Sequence, residues 1–585
     1  MENLGSPEPA CPSPGAGPVA GVSVGKRAGV EGDEAAVSSK LFRSACIRRW
    51  LPLAYREEVY HVLRLTGPLL LSRILNFFLP FVTTIFCGHI GNAELAGYAL
   101  ASATVNVTTS AAGYGLAMAC DTLISQTFGS KNMKRVGVIL QRSSLILLLF
   151  CLPCWALVIN SHNLLLLLHQ DAEVARIAQI YIMAFLPAIP YVFFVCQGII
   201  MPQMYTAAAA NIFNLAANYI LISSLKLGVI GSAIANSLSQ VVICLMLFGY
   251  IRWKKLHRQT WGGWSTECLQ EWGSYMKLAV PSAFMICFEW WIWEIAGFLA
   301  GVLGKDDIAA QHIMVELTTI TYMFPLGVHA AACVRVGNAL GAGDTSRAIV
   351  TCKVVFVLMV ISFPTSCRNI VRMVSANLTI YIFLQFFDGL LCVSSGILVG
   401  AGMQKIAALS NLVAYYFIGL PAGIAMMFYT ELRILGFWLG IFIGVFLETG
   451  FFLILIFKFN WKKVTHKVGC SYLSLINHLV LSRKSSLHSE AQLDGEEAPK
   501  GYNPVNTQDQ ELKWPRATSC FYPSAVLRRG LTVLVSALVL AIGIALHFAF
   551  PAPEPPVQSM ANFTLNWAND STPTPLAALD LTTNL

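Results

Sequence analysis

Charge is what this chain has least of. Asp, Glu, Lys and Arg make up 12% of its 585 residues, where a soluble globular protein carries about a quarter. That shortage excludes an ordinary soluble domain. Hydrophobic residues fill 56% of the sequence instead, and mean hydropathy is +0.62. Residues 1–50 hold no apolar run, so no cleavable signal peptide is expected there. Their Gly, Pro, Ala and Ser content reads as a disordered cytosolic tail. A phosphate-binding loop is missing too: "RVGNALGAGD" lacks the Gly-Lys-Ser/Thr ending, so Gly337 and Gly341 read as close helix-packing points. The 16 Cys are scattered. Cys151 and Cys154 form a C-x-x-C inside the apolar "FCLPCW", which reads as small core residues rather than a metal or redox site. No cofactor, metal or enzymatic activity is expected. The net charge of +8 is no nucleic-acid signal, because Lys and Arg collect in particular loops as they do in membrane proteins.

What the sequence does have is long apolar runs. They lie near 62–88, 95–118, 136–158, 175–200, 203–225, 229–251, 276–303, 308–332, 349–367, 378–400, 405–428 and 432–457. Each is close to the twenty or so residues that a bilayer-crossing helix needs. A thirteenth, 531–550, follows Arg528 and Arg529 after a polar stretch. Basic clusters precede the first run (Arg48, Arg49, Arg56) and follow the second (Lys131, Lys134, Arg135). Others follow the sixth (Arg252, Lys254, Lys255, Arg258) and the twelfth (Lys458, Lys462, Lys463, Lys467). The excess of positive charge on alternate loops places the N-terminus inside. Thirteen spans would then put the C-terminus outside, with sequons at Asn562 and Asn569 available for glycosylation.

The chain repeats itself. "LRLTGPLLLSRILNFF" around Pro68 resembles "MKLAVPSAFMICFEWW" around Pro281, and "GHIGNAELAG" resembles "GVLGKDDIAA", both at a spacing of 213. Cys120 falls on Cys333, and Asn76 on Glu289, at the same offset. Six spans per copy is an even number, so the copies run in the same direction. Parallel repeats of this kind place a substrate site between two lobes that rock to give alternating access.

The expected fold is therefore an all-α polytopic membrane protein. It has two six-helix lobes related by an internal pseudo-two-fold repeat, plus a thirteenth C-terminal transmembrane helix. The expected divisions are a cytoplasmic tail (1–54), an N-lobe (55–258), a C-lobe (259–465), a cytoplasmic linker (466–530), the last span (531–550) and an extracellular tail (551–585).

Four carboxylates interrupt the apolar runs: Glu289, Glu294, Glu316 and Asp388. A bare anion in hydrocarbon costs several kcal/mol unless it is wet, paired or protonated. Deprotonated, such a carboxyl attracts an organic cation; protonated, it discharges it. All four lie in the second copy, while the first offers neutral Asn76, Asn106, Asn211, Asn214 and Asn218. The second copy thus reads as the proton-handling one. Glu294 stands five residues after Glu289, about 140° around the helix, so the two do not share one stripe. Glu289 is the better cavity residue. Aromatic faces beside a carboxylate suit organic cations, and Trp290, Trp291, Trp293, Tyr322, Phe386 and Phe387 lie near the acids. Arg73 needs a partner within its apolar run: an acid, or a snorkelling route to the inner face. Arg335 reads as an inner-side anchor. His312 and His329 lack an evident partner set for an enzyme.

The strings "FCGHIGNAEL", "ACDTLISQTFGSKN", "VGVILQRS", "CLQEW", "EWWIWE", "VRVGNALGAGD" and "YYFIGLPAGI" resemble the multidrug and toxin extrusion transporters, in particular their vertebrate organic-cation branch. The resemblance spans roughly residues 55–465. It implies electroneutral exchange of protons for organic cations (drugs, toxins, cationic metabolites) at an apical plasma membrane, by a protein acting as a monomer in the bilayer. It also implies that Glu289, Glu294 and Glu316 are the essential acids, with Asp388 where a Glu is usual. Asn76, Asn106, Trp290, Trp293, Tyr322 and Gln385 are the candidate cavity residues. Of these, Asn106, Trp290 and Tyr322 fall on positions tied to the family's cavity, and Gln385 stands where a His is usual. Val315 stands where Tyr is usual. The segment before Gln197-Gly198 and the stretch from Pro364 to Asp388 are shorter than the family's. Alternatives left open are a transport-impaired diverged member and a flippase of related two-lobed architecture with an anionic substrate.

Overall fold

The computed structural model describes residues 52–168, 170–188, 200–255, 258, 260–303, 305–373, 379–430, 432–469 and 523–550. The N-terminal tail, the linker, the C-terminal tail with its sequons, the segment before Gln197 and part of the connection preceding Asp388 lie outside the described residues.

The chain folds as a series of long helices. The first six are α1 (Leu53–Ile90), α2 (Asn92–Val105, a wide π turn at Asn106–Ser110, then Ala111–Gly129), α3 (Met133–Ile159), α4 (Ala172–Phe185), α5 (Ile200–Asn218 with a π turn at Tyr219–Ser224) and α6 (Gly228–Trp253). The next six are α7 (Trp272–Leu303), α8 (Lys305–Gly341), α9 (Thr345–Met373), α10 (Thr379–Gly400), α11 (Gln404–Asn411, a π turn at Leu412–Gly419, then Leu420–Tyr429) and α12 (Ile434–Lys458). The last is α13, Pro523–Ala549. Each apolar run of the sequence becomes one of these helices. Several, α1 and α8 among them, reach further than their apolar runs, because helices continue past hydrocarbon into polar turns. The 37 residues of α8 span about 55 Å, well beyond a bilayer core of about 30 Å.

Among the described residues, eight helices are by themselves long and apolar enough to cross a membrane: α1, α3, α6, α7, α10, α11, α12 and α13. Side-chain caps start two of the helices: Asn132 accepts from the Arg135 N–H at 3.3 Å ahead of α3, and Asp171 accepts from the Glu173 N–H at 2.9 Å ahead of α4. Each satisfies donors that a helix start leaves orphaned.

Two large cores form. One gathers Cys87, Leu116, Leu147, Tyr181 and Tyr275 from α1–α4 and the start of α7. The other gathers Met285, Val336, Val355, Leu398, Tyr415 and Phe437 from α7–α12, and Val62, Leu69, Ala111 and Met118 of α1 and α2 reach into it. Helix α7 changes cores at Pro281: Trp272, Tyr275 and Ala279 pack in the first, Met285 and Ile292 in the second. Its counterpart at the repeat offset, Pro68, also lies inside a helix, α1. A proline there removes one ladder hydrogen bond and permits a bend.

The halves meet closely at one end. Helix α2 crosses α8 with reciprocal glycine contacts: Gly129 lies on the Asn338 backbone, Gly341 on the Gln126 backbone, and Gly337 on the Ser125 side chain. The reading of Gly337 and Gly341 as close-packing points is met in full. At the same end Thr122 donates to the Val399 carbonyl at 3.1 Å and the Gln126 amide donates to the Gly400 carbonyl at 3.0 Å. Gly341→Ala puts a methyl into backbone that cannot swing aside. The expected cost is about 1–3 kcal/mol, read as a lower melting temperature in detergent, whereas Ala at Gly450, where nothing lies within 4 Å, leaves it unchanged.

Candidate functional site

The acids of the second half converge because side chains bond across to the backbone of neighbouring helices and fix each helix's rotation. Asn411 on α11 donates to the Met285 carbonyl of α7 at 3.0 Å, and the Tyr416 hydroxyl donates to the Phe288 carbonyl at 3.3 Å. His329 on α8 bonds the Cys392 carbonyl of α10 at 2.8 Å. Thr449 on α12 donates to the Phe387 carbonyl of α10 at 3.1 Å. Glu289 thereby faces Tyr322, whose hydroxyl donates to its Oε1 at 3.2 Å. Asp388, 9% exposed, stands within electrostatic reach of Glu289 and of Tyr322. The side chain of Glu316 lies outside the described residues.

Glu294 looks the other way, as the 140° offset predicts. It faces Asn106, the first residue of the π turn in α2. Turns of this kind are frequent at functional sites because one extra residue re-aims the side chains around it. Trp291 bonds the same turn, its indole N–H donating to the Val107 carbonyl at 3.1 Å. The two helices are thus tied together beside Glu294.

The aromatic candidates separate. Trp290 stacks on Tyr114 of α2 with centroids 5.9 Å apart. Arg73 donates to the Tyr114 hydroxyl at 2.7 Å and lies over its ring. Trp290 therefore sits on the seam between the halves, next to the half-buried cation that the sequence flagged. Trp293 packs instead against Trp438 of α12, centroids 5.3 Å apart, and that indole N–H donates to Gln311 at 2.8 Å. Phe387 packs on Phe446 at 4.9 Å. These two rings serve packing of the second half. Gln385 is buried on α10, three residues before Asp388. Asn76 reaches only one turn back in the contacts described, to the Ser72 hydroxyl at 3.5 Å. Cys151 and Cys154 are free thiols buried in α3, as small core residues are.

Tyr322→Phe removes the one hydroxyl that donates to Glu289 from α8. A hydrogen bond to a charged group is worth about 1.5–3 kcal/mol, so cation exchange should slow about tenfold or more. Initial rates at saturating substrate check this, with surface expression unchanged.

Three comparisons bear on identity. A MatE family profile matches residues 68–220 and 281–367; the two matches begin at Pro68 and Pro281. The chain is 44% identical to multidrug and toxin extrusion protein 1 of Danio rerio over 554 residues, 87% of this chain and 94% of that protein. It is 42% identical to the Homo sapiens protein 1 over 548 residues, 86% of this chain and 95% of the relative.

The chain belongs to the multidrug and toxin extrusion family.

Mus musculus protein 2 of that family is 40% identical, covering 84% of this chain and 92% of its own. The fold is shared as well. The crystal structure of the eukaryotic MATE transporter AtDTX14 superposes with a TM-score of 0.64 at 26% identity, covering 71% of this chain and 99% of that one. A mutant of the Vibrio cholerae MATE transporter VcmN gives 0.60 at 16% identity, covering 70% and 100%. The chain is accordingly a multi-pass, all-helical membrane transporter of the MATE fold, not an enzyme.

Against that fold, three charged features stand out that reasoning from sequence passed over. Glu448 lies in the middle of α12, 2% exposed, and faces Glu289 and Asp388. Asp121 lies in α2, in the field of Arg73, so the first half is not free of acids as expected. Both meet the criterion that found the other four, an acid inside an apolar run; "FLETGFF" and "MACDTLIS" carried the signal. Third, Arg335 is no free anchor: it forms a two-point pair with Glu58 of α1, Nε to Oε1 at 2.8 Å and Nη2 to Oε2 at 2.5 Å. The partners are 277 residues apart, and Glu58, in "YREEVYHVL", reads as an ordinary solvated residue.

Proposed function

We propose that this MATE transporter exports organic cations in exchange for protons, by alternating access between an N-lobe of α1–α6 and a C-lobe of α7–α12. The observation that carries this is the Glu289–Asp388 pair beside Tyr322, on helices of the second core. Two carboxyls in one apolar setting suit a site that holds either protons or a cation. Trp290 adds an aromatic ring at the seam, the kind of surface a cation prefers, beside Tyr114, which already holds Arg73 over its own ring. Two cores, two profile matches and the reciprocal Gly129 and Gly341 contacts support the two-lobe reading. The seam is closed at the end where α2 meets α8, and the basic loops lie at that end, so it is the cytoplasmic one by the positive-inside rule. Helix α13 is the thirteenth span, which leaves the C-terminus outside; the setting is an apical plasma membrane. Among the described residues, acids outnumber the one nearby cation, Arg73, which itself is held on Tyr114; that balance disfavours an anionic, lipid-linked substrate.

Uptake of labelled tetraethylammonium into vesicles under an imposed pH gradient tests this. Uptake should rise with an outwardly directed proton gradient and collapse when a protonophore dissipates it. Uptake indifferent to the gradient would remove proton exchange from the reading.

A further inference from the structure

Glu448 is the least explained charge among the described residues. Helix α12 has 25 residues and only one other charge, Lys458 at its end. Glu448 lies far from both helix ends, so no orphan N–H groups are available to it. Neither carboxyl oxygen has a hydrogen-bond partner; the Ser410 hydroxyl of α11 faces it without bonding geometry. Among the described residues no Lys, Arg or His pairs with it. The titratable groups facing it from the packed helices are Glu289 of α7, Asp388 of α10 and Tyr415 of α11. Tyr415 faces all three acids. The bond from Thr449 to the Phe387 carbonyl joins the residues next to Glu448 and Asp388, and so holds the two acids side by side across the α10–α12 contact.

An acid kept for structure has donors or a counter-charge, because a buried carboxylate without either costs several kcal/mol. Glu448 has no counter-charge and at most the Ser410 hydroxyl as a donor, and it is turned toward two acids that add repulsion. Its partner must therefore be mobile.

We propose that Glu448 is a third proton- and cation-binding carboxyl of the transport site. It holds a proton while the site is empty and gives it up to solvent when an organic cation enters, sharing that exchange with Glu289 and Asp388. Three coupled acids then titrate in steps that belong to the set rather than to any one residue. The inference rests on the proton-exchange reading above.

The test is the pH dependence of tetraethylammonium affinity in purified full-length protein. The slope of log Kd against pH counts the protons displaced. Wild type should show a clear slope. Glu448→Gln, an isostere of the protonated acid, should reduce it by about a third, and Glu448→Asp should restore most of it. A variant whose affinity shifts equally at every pH, with the slope intact, would make Glu448 merely structural and overturn the proposal. An unchanged affinity and slope would overturn it as well. A flat slope in wild type would instead remove proton exchange itself, which separates the two failures. As a second readout, the carboxylic-acid carbonyl band in the tetraethylammonium-minus-empty infrared difference spectrum should lose intensity in Glu448→Gln; an identical band would also overturn the assignment.

Discussion

Glu289→Gln is expected to abolish proton-driven cation exchange while leaving the protein at the cell surface. Gln keeps the size of the side chain and an acceptor for the Tyr322 hydroxyl, whose donor lies 3.2 Å from Oε1, so the helix packing around it survives. What goes is the ability to be negative. Removing a buried, hydrogen-bonded charge from its partner costs about 2–5 kcal/mol, which is a loss of about thirtyfold or more in cation affinity. The proton site goes with it, so the pH gradient has nothing to act on. Exchange measured in vesicles should fall to background. Glu294→Gln should be milder on the gradient dependence, because Glu294 faces Asn106 and not the acids of the second core. If Glu289→Gln still exchanges under a gradient at the wild-type rate, the site lies elsewhere.

The sequence disclosed the helices because hydrocarbon imposes a length and a polarity that no other setting does. It disclosed the repeat because Pro68 and Pro281 sit at equivalent points of α1 and α7, and such prolines fix where a helix bends. It also pointed to Glu289 and Asp388, since a charge in an apolar run has few other reasons to be there. Four things stayed hidden. The rotation of each helix depends on bonds such as Asn411 to the Met285 carbonyl, which link residues more than a hundred positions apart. Trp290 and Trp293 are three residues apart and look alike in the string "EWWIWE", yet one meets Tyr114 across the seam and the other Trp438 within the second half. The π turn at Asn106 has no proline or glycine to announce it; only the fold reveals that it aims Asn106 at Glu294. A pair such as Glu58 and Arg335 is invisible for a different reason. Each residue alone sits near a helix end, where charges are common, and burial of the pair is a property of two helices meeting.

That pair carries the second large prediction. Glu58 is 2% exposed. Besides the two Arg335 bonds, the Thr351 hydroxyl donates to its Oε1 at 2.8 Å, and Arg347 stands 3.8 Å from its Oε2. Glu58 belongs to α1 and the other three to α8 and α9, so the cluster spans the seam at the end where Thr122 and Gln126 also reach across. It ties α1 to α8 and α9 at that end. Glu58→Ala leaves Arg335 and Arg347 close together without their carboxylate. Breaking a buried pair in this way costs about 3–5 kcal/mol, and the cost falls on the closed state, where the pair exists. The balance between closed and open forms of this end should move by about a hundredfold or more. Hydrogen exchange of the backbone over residues 122–129 and 332–341 should speed up, and the melting temperature in detergent should drop. Arg335→Met should do less harm, because Glu58 keeps Thr351 and Arg347. The double change Glu58→Leu with Arg335→Met removes both charges and should recover most of the stability lost by Glu58→Ala, since a well-packed apolar pair replaces a buried ion pair at little or no cost. Unaltered exchange in Glu58→Ala would mean that the glycine contacts of Gly129 and Gly341 close this end without help from the ion pair.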